Sequence, residues 1–199
     1  MSTMSETLRT FIAIELPERI QSSIRQLQND LKKYRLNIRW VRTENIHLTL
    51  KFLGNIQTLD VQRIAGAIAD TAETQDAFEL KAAGIGVFPN IRNPRVLWTG
   101  LSGNVPALLS LHQSLENYFG KHRVKKDKRR FKGHLTLGRA KGKIDARQMM
   151  DTIVACGGFE SDVFSVRSIT FFQSDLQKAG PVYTPIMRAP LGRAVMSNA

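Results

Sequence analysis

The tetrapeptide His-Leu-Thr-Leu stands twice in this chain, at His47-Leu48-Thr49-Leu50 and at His134-Leu135-Thr136-Leu137, 87 positions apart. Side chains alternate between faces in extended backbone. Each copy therefore predicts a half-buried strand, with two leucines inward and an imidazole and a hydroxyl outward. The matched copies predict two similar lobes that set His47, Thr49, His134 and Thr136 about one groove. Two proton-transfer groups beside two hydroxyl donors suit in-line displacement at a phosphodiester without a metal.

A single strand histidine has an ordinary structural explanation, but repetition of the same outward His-x-Thr favours function. The other two histidines keep the structural explanation: His112 lies near the inner edge of a predicted helix and His122 in a basic loop. Zinc needs three or four ligands, usually close in sequence. Only Glu44 flanks either motif, so no metal is expected.

Strands are predicted over Leu8–Leu16, Ile38–Val41, Ile46–Leu53, Phe78–Val87, Arg95–Leu101, Phe131–Leu137, Phe164–Ser174 and Tyr183–Pro190. In the first motif strand, alternation puts Ile46, Leu48, Leu50 and Phe52 inward and His47, Thr49 and Lys51 outward, with Gly54-Asn55 ending it. Four helices fall between the strands. The first follows Pro17 with Ile20, Ile24, Leu27 and Leu31 at helical spacing. The others are capped by Thr58 (anchors Ile64 and Ile68), by Asn104 (Leu108, Leu111, Leu115 and Phe119 inward) and by Asp145. Short strands interleaved with helices predict an α+β fold with largely antiparallel sheet. The expectation is one bilobal domain over 1–199, its core about 8–191 and its tail 192–199 frayed.

A formal charge of +12 points to polyanionic partners. Residues 121–132 carry eight Lys and Arg against Asp127 alone and lead into the second motif. Lys125, Lys126, Arg129 and Arg130 are candidate RNA contacts by charge, and Phe11 and Trp98 by stacking. The competing explanation is a solvated loop that keeps the protein soluble. No apolar run approaches the roughly 20 residues that span a membrane, and the N-terminus lacks a signal pattern, so an intracellular, cytoplasmic protein is expected. One cysteine, Cys156, excludes an internal disulfide and reads as a buried structural thiol. No Gly-rich phosphate loop argues for ATP dependence.

The paired motifs resemble those of the 2H phosphoesterase superfamily. The flanks resemble its RNA 2′,3′-cyclic phosphodiesterase branch, also called the 2′-5′ RNA ligase family. The matching stretches include Arg9-Thr10-Phe11-Ile12-Ala13-Ile14, Trp40-Val41-Arg42, Lys51-Phe52-Leu53-Gly54, Gly86-Val87-Phe88-Pro89, Pro94-Arg95-Val96-Leu97-Trp98, Gly138-Arg139, Phe172-Gln173-Ser174 and Gly180-Pro181-Val182-Tyr183. The resemblance implies two pseudo-symmetric lobes around a central cleft and no cofactor. It implies a monomer that hydrolyses RNA 2′,3′-cyclic phosphate ends, tRNA fragments among them, to 2′-phosphomonoesters. His47 would be proton donor and His134 proton acceptor, with Thr49, Thr136 and Arg139 on the phosphate. By simple alternation Arg139 falls on the leucine face, so it reaches phosphate only if the strand bends or ends near Gly138. The same histidines suit the reverse sense, joining RNA ends through a 2′-5′ linkage without ATP. A noncatalytic RNA-binding module, and a phosphodiesterase for small cyclic nucleotides or 2′-5′ oligonucleotides, are the alternatives.

Overall fold

The run Phe11–Ile14 is buried throughout and forms the middle of the first strand, β1 (Thr7–Glu15). The structure is a computed structural model that describes residues 6–121, 130–178 and 180–192. Helix α1 (Glu18–Lys32) buries the predicted stripe of Ile20, Ile24, Leu27 and Leu31. Strands β2 (Ile38–Trp40) and β3 (His47–Gln57) follow, then helix α2 (Val61–Glu73). Next come β4 (Phe78–Phe88), β5 (Val96–Gly103), α3 (Val105–Lys121) and β6 (Leu135–Ala140). The described chain closes with α4 (Ala146–Cys156), β7 (Phe164–Val166), β8 (Ser168–Gln177) and β9 (Gly180–Pro190). Asn104 and Asp145 cap α3 and α4 through bonds from the Ala107 and Gln148 amides, as expected. Thr58 does not cap α2: its hydroxyl donates to the Glu6 carbonyl, which ties the strand end to the start of β1.

One antiparallel sheet runs through both lobes in the order β7-β4-β5-β6-β3-β1-β8-β9, with β2 also on β6. The two motif strands are neighbours at its centre and pair only at Leu48 and Leu135, the same residue of each copy. Outward from this seam the halves match. On one side β3 pairs β1 and β1 pairs β8; on the other β6 pairs β5 and β5 pairs β4. The first motif strand is followed by α2 and then by β4 of the opposite half, whereas the second is followed by α4 and β7 of its own half, and the chain returns to the first half only at β8. The fold is α+β with two pseudo-symmetric lobes, and α1 packs on α4 while α2 packs on α3.

The predicted strand Phe164–Ser174 divides at Arg167. Its first piece pairs β4 in one lobe and its second pairs β1 and β9 in the other. Val166 and Ser168, two residues apart, thus belong to opposite ends of the strand order. Each residue spans at most about 3.6 Å, so the sheet must curl until its two ends nearly meet. Its leucine-lined face carries the main core, whereas Phe11, Ala13, Phe172 and Tyr183 cluster separately.

Candidate active site

The seam builds the site. Leu48 and Leu135 are fully buried. Continuing their antiparallel register by one residue sets His47 across from Thr136 and Thr49 across from His134, all four on the face opposite the leucines. Directly opposed side chains in such a pair lie about 5 Å apart and diagonal ones about 7–8 Å. The two imidazoles thus occupy opposite corners of a small rectangle and the two threonines the others. Among the described residues neither threonine hydroxyl has a hydrogen-bond partner in the protein, so both can donate to a ligand.

Each imidazole is held in the same way. His47 Nδ1 lies 2.9 Å from the carbonyl oxygen of Asn45, and His134 Nδ1 lies 2.7 Å from that of Lys132, two residues back in both copies. A carbonyl can only accept, so Nδ1 carries the proton and Nε2 keeps its lone pair for the cleft. Aromatic rings complete each seat. His47 stacks on Phe11 (4.8 Å) and meets the edge of Tyr183 (5.1 Å), with Phe172 stacked behind Phe11. His134 meets Phe88 edge-on (4.9 Å) with Trp98 behind (6.3 Å). These walls shift the titration. Burial pushes His47 down to about 4, against the opposing pull of the Asn45 carbonyl. Burial also lowers His134, and the charges of Arg139 and Lys132 lower it further.

The alternation predicted beyond each motif is corrected by one device used twice. In β3 Leu50 is an extra residue against β1, and in β6 Leu137 is an extra residue against β5. A bulge places two successive residues on one side and reverses the phase after it. Leu50 and Lys51 therefore both face the core, and Phe52, expected inside, emerges on the cleft face at 63% exposed. Lys51, expected outside, is buried in an ion pair with Glu116 of α3. In the second copy Leu137 and Gly138 are buried and Arg139 emerges on the cleft side, where its charge acts on both His134 and Tyr183. Leu53 makes a second bulge in β3. Gly54 takes a positive φ of 74° beside it, so the strand runs on to Gln57 rather than ending there.

The remaining candidates separate. Phe11 and Trp98 are only 2% and 9% exposed, which corrects the expectation that they offer free faces to RNA bases. Phe11 is filled by His47 and Phe172. Trp98 lies under the Lys132 ammonium at 4.3 Å and so close to Gly86 that a Cβ there would sit 2.3 Å from the indole. Arg130 is exposed. Lys125, Lys126, Arg129 and His122 lie outside the described residues. His112 stacks on Phe131 at 3.9 Å. Cys156 is half-buried, not fully buried, and its thiol is pushed up by that burial. Sequence reasoning missed the anchoring carbonyls of Asn45 and Lys132, which no residue type betrays. It also assigned nothing to Tyr183 and Phe88, although both lie in stretches that carry the resemblance. Gln28 of α1, also missed, donates 2.9 Å bonds to the Leu137 and Val41 carbonyls and pins the second bulge. Among the described residues no three His, Cys, Asp or Glu side chains converge as a metal site, and no helix is long and apolar enough to cross a membrane.

Two lobes, each giving one His-x-Thr to a shared cleft, define a 2H-type phosphoesterase. The family model described as LigT like Phosphoesterase matches in two segments, 14–98 and 101–183, one around each motif. The chain is 33% identical over 177 residues to the RNA 2′,3′-cyclic phosphodiesterase of Methanothermobacter thermautotrophicus, covering 89% of this chain and 95% of that one. It is 29% identical over 179 residues to the enzyme of the same name from Aquifex aeolicus, covering 89% and 90%. Among solved structures, E. coli LigT complexed with 3′-AMP superposes with a TM-score of 0.75 at 25% identity, over 94% of this chain and all of that one. A protein of Thermus thermophilus superposes at 0.78 with 24% identity and the same coverage, a likeness of fold. The chain belongs to the LigT-like phosphoesterase family and is a hydrolase.

Proposed function

We propose that this protein opens 2′,3′-cyclic phosphate ends of RNA to 2′-phosphomonoesters by acid–base catalysis between His47 and His134. The observation that carries this reading is the mirrored Nδ1–carbonyl anchor, which leaves two Nε2 atoms facing one cleft from opposite corners. Neutral His134 takes a proton from water as its oxygen bonds to phosphorus. The P–O3′ bond breaks, and protonated His47 gives its proton to the departing 3′ oxygen. Thr49 and Thr136 donate to the non-bridging oxygens, and Arg139 offsets the charge that builds on them. His47 is neutral at pH 7 in the free site. The negative phosphodiester arriving beside it favours the protonated form that the step requires. The relatives' names support RNA as substrate, and the protein is proposed to act as a monomer. When the 5′-hydroxyl of a second RNA end stands in place of water, the same groups form a 2′-5′ linkage without ATP: its oxygen bonds to phosphorus as the P–O3′ bond breaks, His134 takes the hydroxyl proton and His47 protonates the departing 3′ oxygen.

The test is a short RNA ending in 2′,3′-cyclic phosphate, with 2′- and 3′-phosphate products resolved. His47→Ala and His134→Ala should each cut turnover about 10²-fold or more with the fold intact, because both side chains lie off the leucine core. A folded variant of either kind with near-wild-type turnover overturns the mechanism. An inert wild type that still binds RNA leaves the noncatalytic binding module.

A further inference from the structure

The two histidines are anchored alike, but the anchoring residues differ in charge. Asn45 and Lys132 hold the same place, two residues before each histidine, and each lends its carbonyl to Nδ1. The Asn45 amide donates to the Pro181 carbonyl at 3.1 Å and brings no charge. The Lys132 ammonium lies 4.3 Å from the centre of the Trp98 ring and 5.5 Å from that of Phe88. Those are the two rings that wall His134. The attraction of a cation to an aromatic face thus fixes a positive charge beside one histidine only. Among the described residues, the charges that act on His134 are those of Arg139 on β6 and of Lys132. β4 and β5 present it with the uncharged Phe88 and Trp98, and β3 with Thr49 and, diagonally, His47. Around His47 stand the uncharged Phe11, Phe172 and Tyr183. Glu15, its neighbour on β1, is taken up by Arg188 and Thr170.

We propose that Lys132 is a positioning residue for the proton: its ammonium, held on Trp98, keeps His134 neutral when the anionic substrate binds, and so assigns the base to the second lobe and the acid to the first. This rests on the functional reading above. A phosphodiester at the seam lies between two matched imidazoles and favours protonation of both. Burial holds His47 down to about 4 in the free site, so burial by itself does not hand the proton to His47. In that reading Arg139 is taken up by the phosphate. Lys132 is then the charge that breaks the symmetry, because it repels a proton from His134 and leaves His47 as the ring that takes it.

The test uses the full chain with Lys132→Met, which keeps an apolar stem for Trp98 and removes the charge, and Lys132→Arg, which keeps the charge. Lys132 is exposed, so both variants should fold. The ring-carbon NMR shifts of His47 and His134 are followed against pH in saturating sulfate, an oxyanion that does not titrate in this range. The kcat profile is measured against pH on adenosine 2′,3′-cyclic phosphate. Lys132→Met should raise the His134 midpoint by about half a pH unit or more and leave that of His47 nearly in place. The acid limb of kcat should move up with His134, and high salt should shrink the difference from wild type. Lys132→Arg should restore each. An unmoved His134 midpoint in Lys132→Met, or an equal shift of both histidines, would overturn the proposal. So would a fall in kcat with its acid limb in place, which would make Lys132 a prop for Trp98. The titration needs no turnover. A wild type inactive on cyclic phosphates would therefore refute the enzymatic reading, while the action of Lys132 on His134 is still judged by the midpoints.

Discussion

At the scale of single residues, the site is defined by what burial does to two imidazoles. A folded-state value of about 4 for His47 lies below its ordinary 6.5, so the unfolded chain binds this proton first as pH falls. Stability attributable to His47 is fully present above about pH 6.5 and is lost as pH falls toward 4. Wild type should therefore lose on the order of 2–3 kcal/mol more than His47→Gln between pH 7 and pH 4, as read by urea denaturation at both values. No difference between the two proteins would mean that His47 is solvated. The rate should follow the same cause. A kcat/KM profile reports the free enzyme and a kcat profile the bound complex. With both histidines lowered by burial, kcat/KM should peak below pH 6.5, while bound phosphodiester should move the kcat optimum upward. Coincident optima near pH 7 would sink this account.

At the scale of elements, the paired bulges at Leu50 and Leu137 matter most, because they turn Phe52 and Arg139 into the cleft. Lys51 enters the core at the first bulge only because Glu116 of α3 meets it there. Removing one partner of a buried ion pair strands the other. Lys51→Met or Glu116→Gln alone should thus cost about 3–5 kcal/mol, while Lys51→Met with Glu116→Leu should regain most of it. Denaturation of the three variants checks this, and additive losses would show that the pair is not coupled. The sequence made the helices and strands legible because their apolar periods are regular. Neither bulge was legible, since a bulge is set by the register against a neighbouring strand and leaves no mark on composition. Simple alternation therefore misplaced Lys51 and Phe52 and put Arg139 on the wrong face.

At the scale of the whole molecule, charge and chemistry should separate. Neutralising Lys125, Lys126, Arg129 and Arg130 should raise KM for long RNA and flatten its salt dependence, because fewer counterions are released. Turnover at saturation, and all kinetics on a mononucleotide cyclic phosphate, should change little. An equal fall in kcat on both substrates would place these charges at the reacting atoms. Exhaustive chelation should leave activity intact, since among the described residues neither motif has the three or more neighbouring ligands that a metal site needs. Loss with EDTA that added zinc restores would overturn this.

The repeated His-Leu-Thr-Leu determined by itself that two half-buried strands carry matched imidazoles and hydroxyls, because alternation within a strand is local. The spacing of apolar residues likewise determined the helices and the α+β class. Only the tertiary structure decided that the two motif strands touch at Leu48 and Leu135, that carbonyls two residues back orient both rings, and that one lobe turns Arg139 into the cleft where the other turns Phe52. Those outcomes depend on which strand pairs with which, and in what register. That choice is made between segments far apart in the chain, by burial of the leucine faces, and no short stretch of sequence encodes it.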